Sequence, residues 1–248
     1  PILRTTLSTS QSYSGIMQAP FDSCVAEINR LMDLAAAGLP KTWQSSANYG
    51  RPTKGACLSL KAEVALLAAS PLWNGNPMFN DFKNKDGVAL APATYDASKW
   101  ATAAAAAKAV IDLGSYKLHY NTDDGDATFD PLLSYRGTFL DNWNSEIIFA
   151  TAANVNNWIW GEEIRCAPKP AGFDMQNATQ NIVDSFYMRN GKSIDDPGSG
   201  YTEQGFAQQD DPAQWGMEED GVNRGYIAGN SNMYVGREAR FYAAIQYN

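Results

Sequence analysis

Aromatic side chains in amide-rich segments are the residues of this chain whose chemistry is most distinctive. Trp158 and Trp160 lie in the run Asn-Val-Asn-Asn-Trp-Ile-Trp-Gly, and Trp215 lies in Gln-Trp-Gly, where the apolar periodicity of a helix is absent. An indole has a flat apolar face that can stack on the C–H face of a sugar ring, while side-chain amides bond the sugar hydroxyls. We therefore predict a carbohydrate-stacking platform. Its members are Trp158, Trp160, Trp215, Tyr201, Asn154, Asn156 and Asn157.

Each of these aromatics has a second interpretation, in which it anchors its own loop to the scaffold. Large aromatic side chains bury about 150–250 Å² and dominate the packing of loops as well as of cores. In an extended backbone, Trp158 and Trp160 would point to opposite faces because they are separated by one residue. At most one of that pair is expected to face a ligand, and the other would be the anchor.

Catalytic patterns are sparse in the sequence. The sole histidine, His119, lacks the spacing of a zinc site, and there is no nucleophile elbow, Walker loop or dinucleotide fingerprint. Pairs of carboxylates could still serve glycoside hydrolysis, which needs two Asp or Glu side chains about 5 to 9.5 Å apart. The acidic residues beside the Trp-rich region are Asp141, Glu146, Glu162, Glu163 and Asp174. We predict a protein that is not an enzyme and needs no cofactor.

The acidic run from residue 123 to 130 is the one weak candidate for a metal site. Asp124, Asp126 and Asp130 alternate oxygen ligands as calcium loops do, but the full twelve-residue EF-hand pattern is missing. A solvated acidic turn is the favoured interpretation. The three cysteines form neither a disulfide framework nor a metal motif, and Cys24 and Cys57 are predicted to be small buried apolar residues of helices.

Composition excludes some partners. Among 248 residues, 19 Lys and Arg stand against 27 Asp and Glu, a formal net charge of -8, and no basic stripe is visible. Nucleic acid is therefore not an expected partner. No run approaches the ~18 consecutive apolar residues of a spanning helix.

Three amphipathic, alanine-rich helices are predicted before residue 120. They cover Phe21 to Ala37, Thr53 as N-cap to Pro71, and Ser98 as cap to Leu113, with Gly114 after it. The first two form a helical hairpin. The intervening stretch Pro71 to Pro92 is predicted to be an ordered loop whose aromatics need packing partners.

After residue 120, short apolar runs alternate with stretches rich in Asn, Asp, Gly and Trp. Short strands are predicted at Ile147 to Phe149 and around Tyr116 to Tyr120, and short helices at Thr179 to Tyr187 and Arg237 to Ile245. No linker divides the chain, so we predict one domain, residues 1–248. It has a helical-repeat half at about 16–120 and a loop-rich, ligand-binding half at about 121–248.

Five segments, in order, resemble the SusD/RagB family. Gly50-Arg-Pro-Thr-Lys-Gly-Ala resembles the family's Gly-Arg-x-Thr-x-x-Ala helix start, and Trp100 to Leu118 resembles its Trp-x-x-Ala-x-x-Ala helix ending in Gly-x-Tyr-x-Leu. Asn144-Ser-Glu-Ile-Ile-Phe is similar to a family strand. Thr179-Gln-Asn-Ile-Val-Asp-Ser-Phe and Gly236-Arg-Glu-Ala-Arg-Phe-Tyr resemble two later family segments.

The resemblance implies a mainly α fold, with tetratricopeptide-like helical hairpins packed against a loop-rich half containing a few short strands. It also implies a lipoprotein at the outer-membrane surface of a Gram-negative bacterium. Such a protein captures nutrient, usually an oligosaccharide or polysaccharide, and delivers it to a SusC-like TonB-dependent transporter. Family members are about twice this length, so the chain is expected to be a middle fragment. The lipid-bearing cysteine has no candidate here, because Cys24 lies inside a predicted helix.

Three alternatives stay open at this point. Some family members bind peptides, and exposed aromatics with amides would suit an extended peptide as well. A tetratricopeptide-like scaffold could instead dock only proteins, with the Trp-rich loops as its contact face. The third alternative is a glycosidase or lyase that uses the carboxylates named above. Ligand contacts vary between family members, so the resemblance transfers no site residues.

Overall fold

A computed structural model describes residues 1–10, 12–121, 129–150, 165–166, 172–173, 175–212 and 225–247. Six α-helices lie within these ranges. They are α1 Phe21–Gly38, α2 Lys54–Ala69, α3 Ser98–Asp112, α4 Pro131–Leu140, α5 Gln180–Ser185 and α6 Ala239–Ala244. Short 3-10 helices occur at Ser46–Asn48, Pro77–Phe79 and Asn232–Tyr234. Within the same ranges, extended segments pair only as single bridges, so the predicted mainly α fold class is confirmed. None of these helices combines the length and apolar character needed to cross a bilayer.

Two compact units are distinguished by their internal contacts. The first is Pro1–Leu118 with Ser145–Ala152, and the second is His119–Asn144 with Ala153–Asn248. The interpretation of the whole chain as a single domain stays a prediction.

In the first unit, α2 packs against both α1 and α3. The buried contact between α2 and α3 is made by Ala65, Ala69 and Ala103, whose small side chains let the two backbones approach closely. The N-terminus of α2 is capped as predicted, because the Thr53 hydroxyl accepts a hydrogen bond from the Ala56 N–H at 3.2 Å. The predicted helical hairpin and the third helix are thereby confirmed.

The start of α3 differs by one residue from the prediction. Ser98 is the first helical residue rather than the cap, and its N–H donates to the Asp96 carboxylate at 2.8 Å. Asp96 therefore satisfies one of the unpaired N–H groups at this helix end. The prediction for the other end is right: Gly114 follows the helix with a φ of 68°, a left-handed conformation that glycine adopts at little cost.

The loop between α2 and α3 is ordered by a row of aromatic rings. Trp73 stacks on Phe21 of α1 at a centroid distance of 4.2 Å and on Phe79 at 5.1 Å, and Phe79 contacts Phe82 at 6.1 Å. The Phe21 N–H also donates to the Leu90 carbonyl at 2.8 Å. These contacts supply the partners that the sequence required, and they pin the loop to the start of α1.

The second unit is built around a core of Leu132, Val183, Ala239, Phe241 and Tyr242, which joins α4, α5 and α6. Helix α4 was not predicted. Its N-cap is Asp130, whose carboxylate accepts a hydrogen bond from the Leu133 N–H at 2.7 Å, and Pro131 is the first helical residue. Asp130 is thus a helix cap, whereas Asp124 and Asp126 lie outside the described residues, so the favoured solvated turn and the weak calcium alternative both stay untested.

The strands predicted at 116–120 and 147–149 are not formed, and this prediction was wrong. The Lys117 N–H donates a hydrogen bond to the Ser145 carbonyl at 3.1 Å, but residues 116–120 and 147–149 form no ladder of β-sheet hydrogen bonds. Ile147, Ile148 and Phe149 instead line an apolar groove in the first unit. Ile147 and Ile148 are half-buried along that groove, whereas Phe149 is exposed at its edge.

Candidate ligand-binding region

Of the predicted platform, only Tyr201 lies in the described part of the chain. Trp158, Trp160, Asn154, Asn156, Asn157 and Trp215 lie outside the described residues, so the platform as a whole stays a prediction. Tyr201 and the described segments of the second unit around it make up the described part of this region.

Tyr201 is half-buried, and its ring is held from one side by a cation. The Arg237 guanidinium carbon lies 5.7 Å from the Tyr201 ring centroid, within cation–π range. The Tyr201 N–H donates to the Ser199 hydroxyl at 3.2 Å, which fixes the backbone as well. Burial raises the pKa of Tyr201, with a further upward contribution from Asp184. The hydroxyl therefore stays neutral at physiological pH and can both donate and accept hydrogen bonds.

Arg237 is fully buried and is bound mainly by carbonyl oxygens. One of its terminal nitrogens donates to the carbonyls of Val183 at 2.6 Å and Phe186 at 2.8 Å, and the other donates to Met233 at 3.0 Å. Its guanidinium also lies 4.9 Å from the Phe241 ring. Burial lowers the pKa of Arg237, although an arginine remains charged at neutral pH. This side chain ties α5, the 3-10 helix at Asn232–Tyr234 and the ring of Tyr201 into one rigid cluster.

The loop before Tyr201 is fixed by its own polar side chains. Asn190 donates to the Ser199 carbonyl at 3.1 Å, the Lys192 ammonium donates to the Pro197 carbonyl at 2.7 Å, and the Asp196 carboxylate accepts from the Ser193 N–H at 3.0 Å. Side chain to backbone bonds of this kind hold a loop without regular secondary structure. Tyr201 is consequently presented by a rigid support.

A second rigid segment follows Tyr201. Residues 205–211 run beside 226–232, with bonds from the Ala207 N–H to the Asn230 carbonyl and from the Asp211 N–H to the Tyr226 carbonyl, both 2.8 Å. Asp211 is buried and accepts two bonds from the Arg189 guanidinium, at 3.0 and 2.5 Å. That charged pair raises the pKa of Arg189 and connects this segment to the loop before Tyr201.

Phe206 stands out on this segment because 65% of it is exposed. It pairs with Ser231 in a backbone bridge, so its backbone is fixed while its ring meets solvent. Sequence reasoning missed it, although the signal was present: Gln-Gly-Phe-Ala-Gln-Gln is amide-rich like the Trp segments. Phe206 therefore meets the criterion by which the platform was predicted, an aromatic residue in an amide-rich segment.

Among the described residues, no three His, Cys, Asp or Glu side chains gather as metal ligands would. His119 contacts the Asp141 carboxylate at 2.8 Å and lies against α4. Rigid loops, exposed rings and neutral hydroxyl or amide groups suit an uncharged ligand with both apolar and hydroxyl-bearing faces.

Comparison with known proteins agrees with this architecture. The protein BT4246 matches 98% of this chain at 24% identity with a TM-score of 0.68, and a selenomethionine form of BT4246 matches 91% at 25% identity with a TM-score of 0.60. A SusD-like protein, BF3747 from Bacteroides fragilis NCTC 9343, matches 98% of this chain at 21% identity with a TM-score of 0.58. The chain has a SusD-like fold.

The SusD-like resemblance drawn from the sequence is thereby confirmed at the level of the fold. The chain spans 44% of BT4246 and 37% of BF3747, so less than half of either protein is matched. No family model and no curated protein matches the sequence. The SusD-like fold covers both the helical hairpins of the first unit and the loops that hold Tyr201 and Phe206.

Proposed function

We propose that this protein captures a glycan at the outer-membrane surface of a Gram-negative bacterium, does not cleave it, and delivers it to a SusC-like TonB-dependent transporter. A lipid anchor would hold the protein at that membrane. The SusD-like fold is the observation that carries the proposal. The exposed ring of Phe206 and the rigidly held ring of Tyr201 support it, because stacking on sugar rings needs aromatic faces fixed on stable loops.

Alanine substitution of the predicted platform tests the ligand site. Glycan binding should weaken about tenfold in Trp215→Ala, in Tyr201→Ala and in one of the pair Trp158→Ala and Trp160→Ala. A tenfold loss corresponds to about 1.5 kcal/mol, the upper range for one aromatic stacking contact. Ile111→Ala, at an exposed position of α3, is the control and should leave binding unchanged. Binding is measured by calorimetry after a screen of soluble polysaccharides and peptide mixtures, with product analysis in the same wells.

The outcomes of that screen separate the candidate functions. Binding of one glycan without breakdown supports capture, binding of peptides alone supports the peptide-binding alternative, and turnover supports an enzyme. Variants that keep full affinity would contradict the platform. Variants that unfold would identify loop anchors, since truncating a buried Trp costs about 3–5 kcal/mol of stability.

A second candidate function, protein docking, is favoured by one observation in the first unit. A groove of about 800 Å³ runs along α1 and α2 and is lined mainly by aliphatic side chains, among them Met32, Leu39 and Leu60. Its charged lining residues are Glu63 and Glu146, both acidic. This combination suits an amphipathic helix that carries an aliphatic stripe with flanking Lys or Arg residues.

A labelled leucine-stripe peptide with flanking lysines is the probe for the docking candidate. Its fluorescence anisotropy should rise on addition of the protein, and Leu60→Asp should abolish the rise because a carboxylate cannot be buried in an apolar groove without a large desolvation penalty. A scrambled peptide with the same composition is the control. Equal binding of both peptides would rule the docking groove out.

A further inference from the structure

A concave surface of the second unit lies between α4 and α6. It is a pocket of about 400 Å³ lined by Tyr135, Arg136, Phe139, Leu140, Ala243 and Ala244, which we call the α4–α6 pocket. Ligand pockets commonly measure about 300–1,000 Å³, and this one lies at the lower end. That size suits a single ring rather than a long polymer segment.

Two aromatic rings form one wall of the α4–α6 pocket. Tyr135 and Phe139 are four residues apart on α4 and therefore lie on the same face of that helix. Their ring centroids are 5.6 Å apart with an interplanar angle of 70°, an edge-to-face contact. Phe139 is 73% exposed, whereas the opposite wall consists of the small side chains Ala243 and Ala244. The exposed ring of Phe139 thus borders a space that no large side chain of α6 fills.

The end of α4 that carries Phe139 is held rigidly. The Asn144 amide donates to the carbonyls of Thr138 at 3.0 Å and Asp141 at 2.9 Å, which are among the last acceptors of the helix. Asp141 is also bound to His119 at 2.8 Å. The chain leaves the helix through Trp143 with a φ of 55°, a strained conformation for a bulky residue that persists where the surroundings fix it. The pocket wall is therefore preformed.

We propose that the α4–α6 pocket is a glycan subsite that binds one pyranose ring by stacking on Phe139. A pyranose has an apolar C–H face for the aromatic wall and hydroxyl groups for the polar side chain of Arg136, which also lines the pocket. This subsite rests on the proposed glycan capture, but it uses residues of α4 and α6 that are not members of the predicted platform. This subsite would add contacts between the protein and a branched or long glycan.

Fluorine NMR and calorimetry on the full 248-residue chain test this subsite together. The chain is labelled with 4-fluorophenylalanine, and the Phe139 resonance is assigned by its absence in Phe139→Tyr. The probes are maltohexaose, cellohexaose, mannohexaose and hexagalacturonate, which differ in linkage and charge. At least one probe should shift the Phe139 resonance. Phe139→Ala should then weaken that probe about threefold to tenfold, and Phe139→Trp should retain its affinity.

Stability and a matched aromatic control keep the result interpretable. Because Phe139 is exposed, Phe139→Ala should melt at the same temperature as the original protein. Phe129→Ala removes another exposed aromatic of the same unit, one that stacks on Tyr120 outside the pocket, and should leave probe affinity unchanged. A probe that binds without affecting Phe139 overturns the subsite and leaves glycan capture standing. Failure of all four probes to bind counts against both proposals.

Discussion

Replacing Arg237 with methionine is expected to lower the free energy of unfolding by about 3–5 kcal/mol, because three backbone carbonyls would lose their hydrogen-bond donor. The guanidinium donates to the carbonyls of Val183, Phe186 and Met233, and these acceptors belong to the backbone. Methionine fills similar space but donates no hydrogen bond, so the three carbonyls would lose their donor, each at a cost of about 1–3 kcal/mol.

A competing effect acts in the opposite direction. Removing a buried cation relieves its desolvation penalty, which is why some buried ion pairs can be replaced by apolar side chains without loss. That gain is complete only when both partners become apolar. Here the partners are main-chain carbonyls that no side-chain substitution can remove, so the loss of hydrogen bonds outweighs the relief.

Urea unfolding at neutral pH, followed by tryptophan fluorescence and circular dichroism, measures the effect of Arg237→Met. Arg240→Met is the matched control on the same segment. Arg240 is exposed and pairs with Glu238 at 2.6 Å, and an exposed ion pair contributes less than about 1 kcal/mol. Equal stabilities for the two variants would mean that Arg237 does not hold α5 and the 3-10 helix together.

The contrast between these two arginines shows what the sequence can and cannot predict. The segment Gly-Arg-Glu-Ala-Arg-Phe-Tyr contains both, and its resemblance to a family segment helped to predict the SusD-like fold. Nothing in the local pattern says that Arg237 is buried and Arg240 exposed. Burial of Arg237 depends on carbonyls up to 54 positions away, at Val183, which only the folded chain brings together.

Helices were predictable where the buried face is apolar. The first three helices have periodic apolar residues and recognisable ends such as Thr53 and Gly114. Helix α4 lacks this signal because its buried residues are Leu132, Ser134 and Gly137, two of which are not hydrophobic. The buried Ser134 hydroxyl has hydrogen-bond partners: it accepts from the Asn121 N–H at 2.9 Å and donates to the Asp130 carbonyl at 2.6 Å. The cap Asp130 and the following Pro131 were the available signal.

The sequence predicted the type of residue in the candidate site, but only some of the positions. Aromatic residues in amide-rich sequence led to Tyr201, and the same criterion extends to Phe206. The α4–α6 pocket could not be found in this way, because Phe139 stands in an ordinary helical segment. Its exposure follows from tertiary packing, in which α6 places Ala243 and Ala244 rather than large side chains opposite it.

Alkaline pH is expected to destabilise the second unit, because Tyr242 and Tyr247 have raised pKa values. Burial raises the pKa of Tyr242 to about 12, and burial together with the neighbouring Tyr242 and Asp211 raises the pKa of Tyr247 as well. An unfolded tyrosine titrates near 10. Between pH 10 and 12 the unfolded chain therefore holds fewer protons than the native chain, so stability is complete below pH 10 and falls as the pH rises.

The loss attributed to Tyr242 is about 2–3 kcal/mol by pH 12, since each pKa unit corresponds to about 1.4 kcal/mol. Tyr242→Phe isolates it. The hydroxyl donates to the Tyr234 carbonyl at 2.8 Å and accepts from the Arg237 N–H at 3.1 Å, so this variant should be about 1–3 kcal/mol less stable at pH 8. Its stability should then fall less steeply between pH 10 and 12, because the titrating group is gone.

Tyr95→Phe, at an exposed position of the first unit, is the control and should keep the pH dependence of the original protein. Urea midpoints at pH 8, 10, 11 and 12 measure all three proteins, and parallel pH profiles for Tyr242→Phe and the original chain would show that the Tyr242 hydroxyl does not carry the alkaline transition.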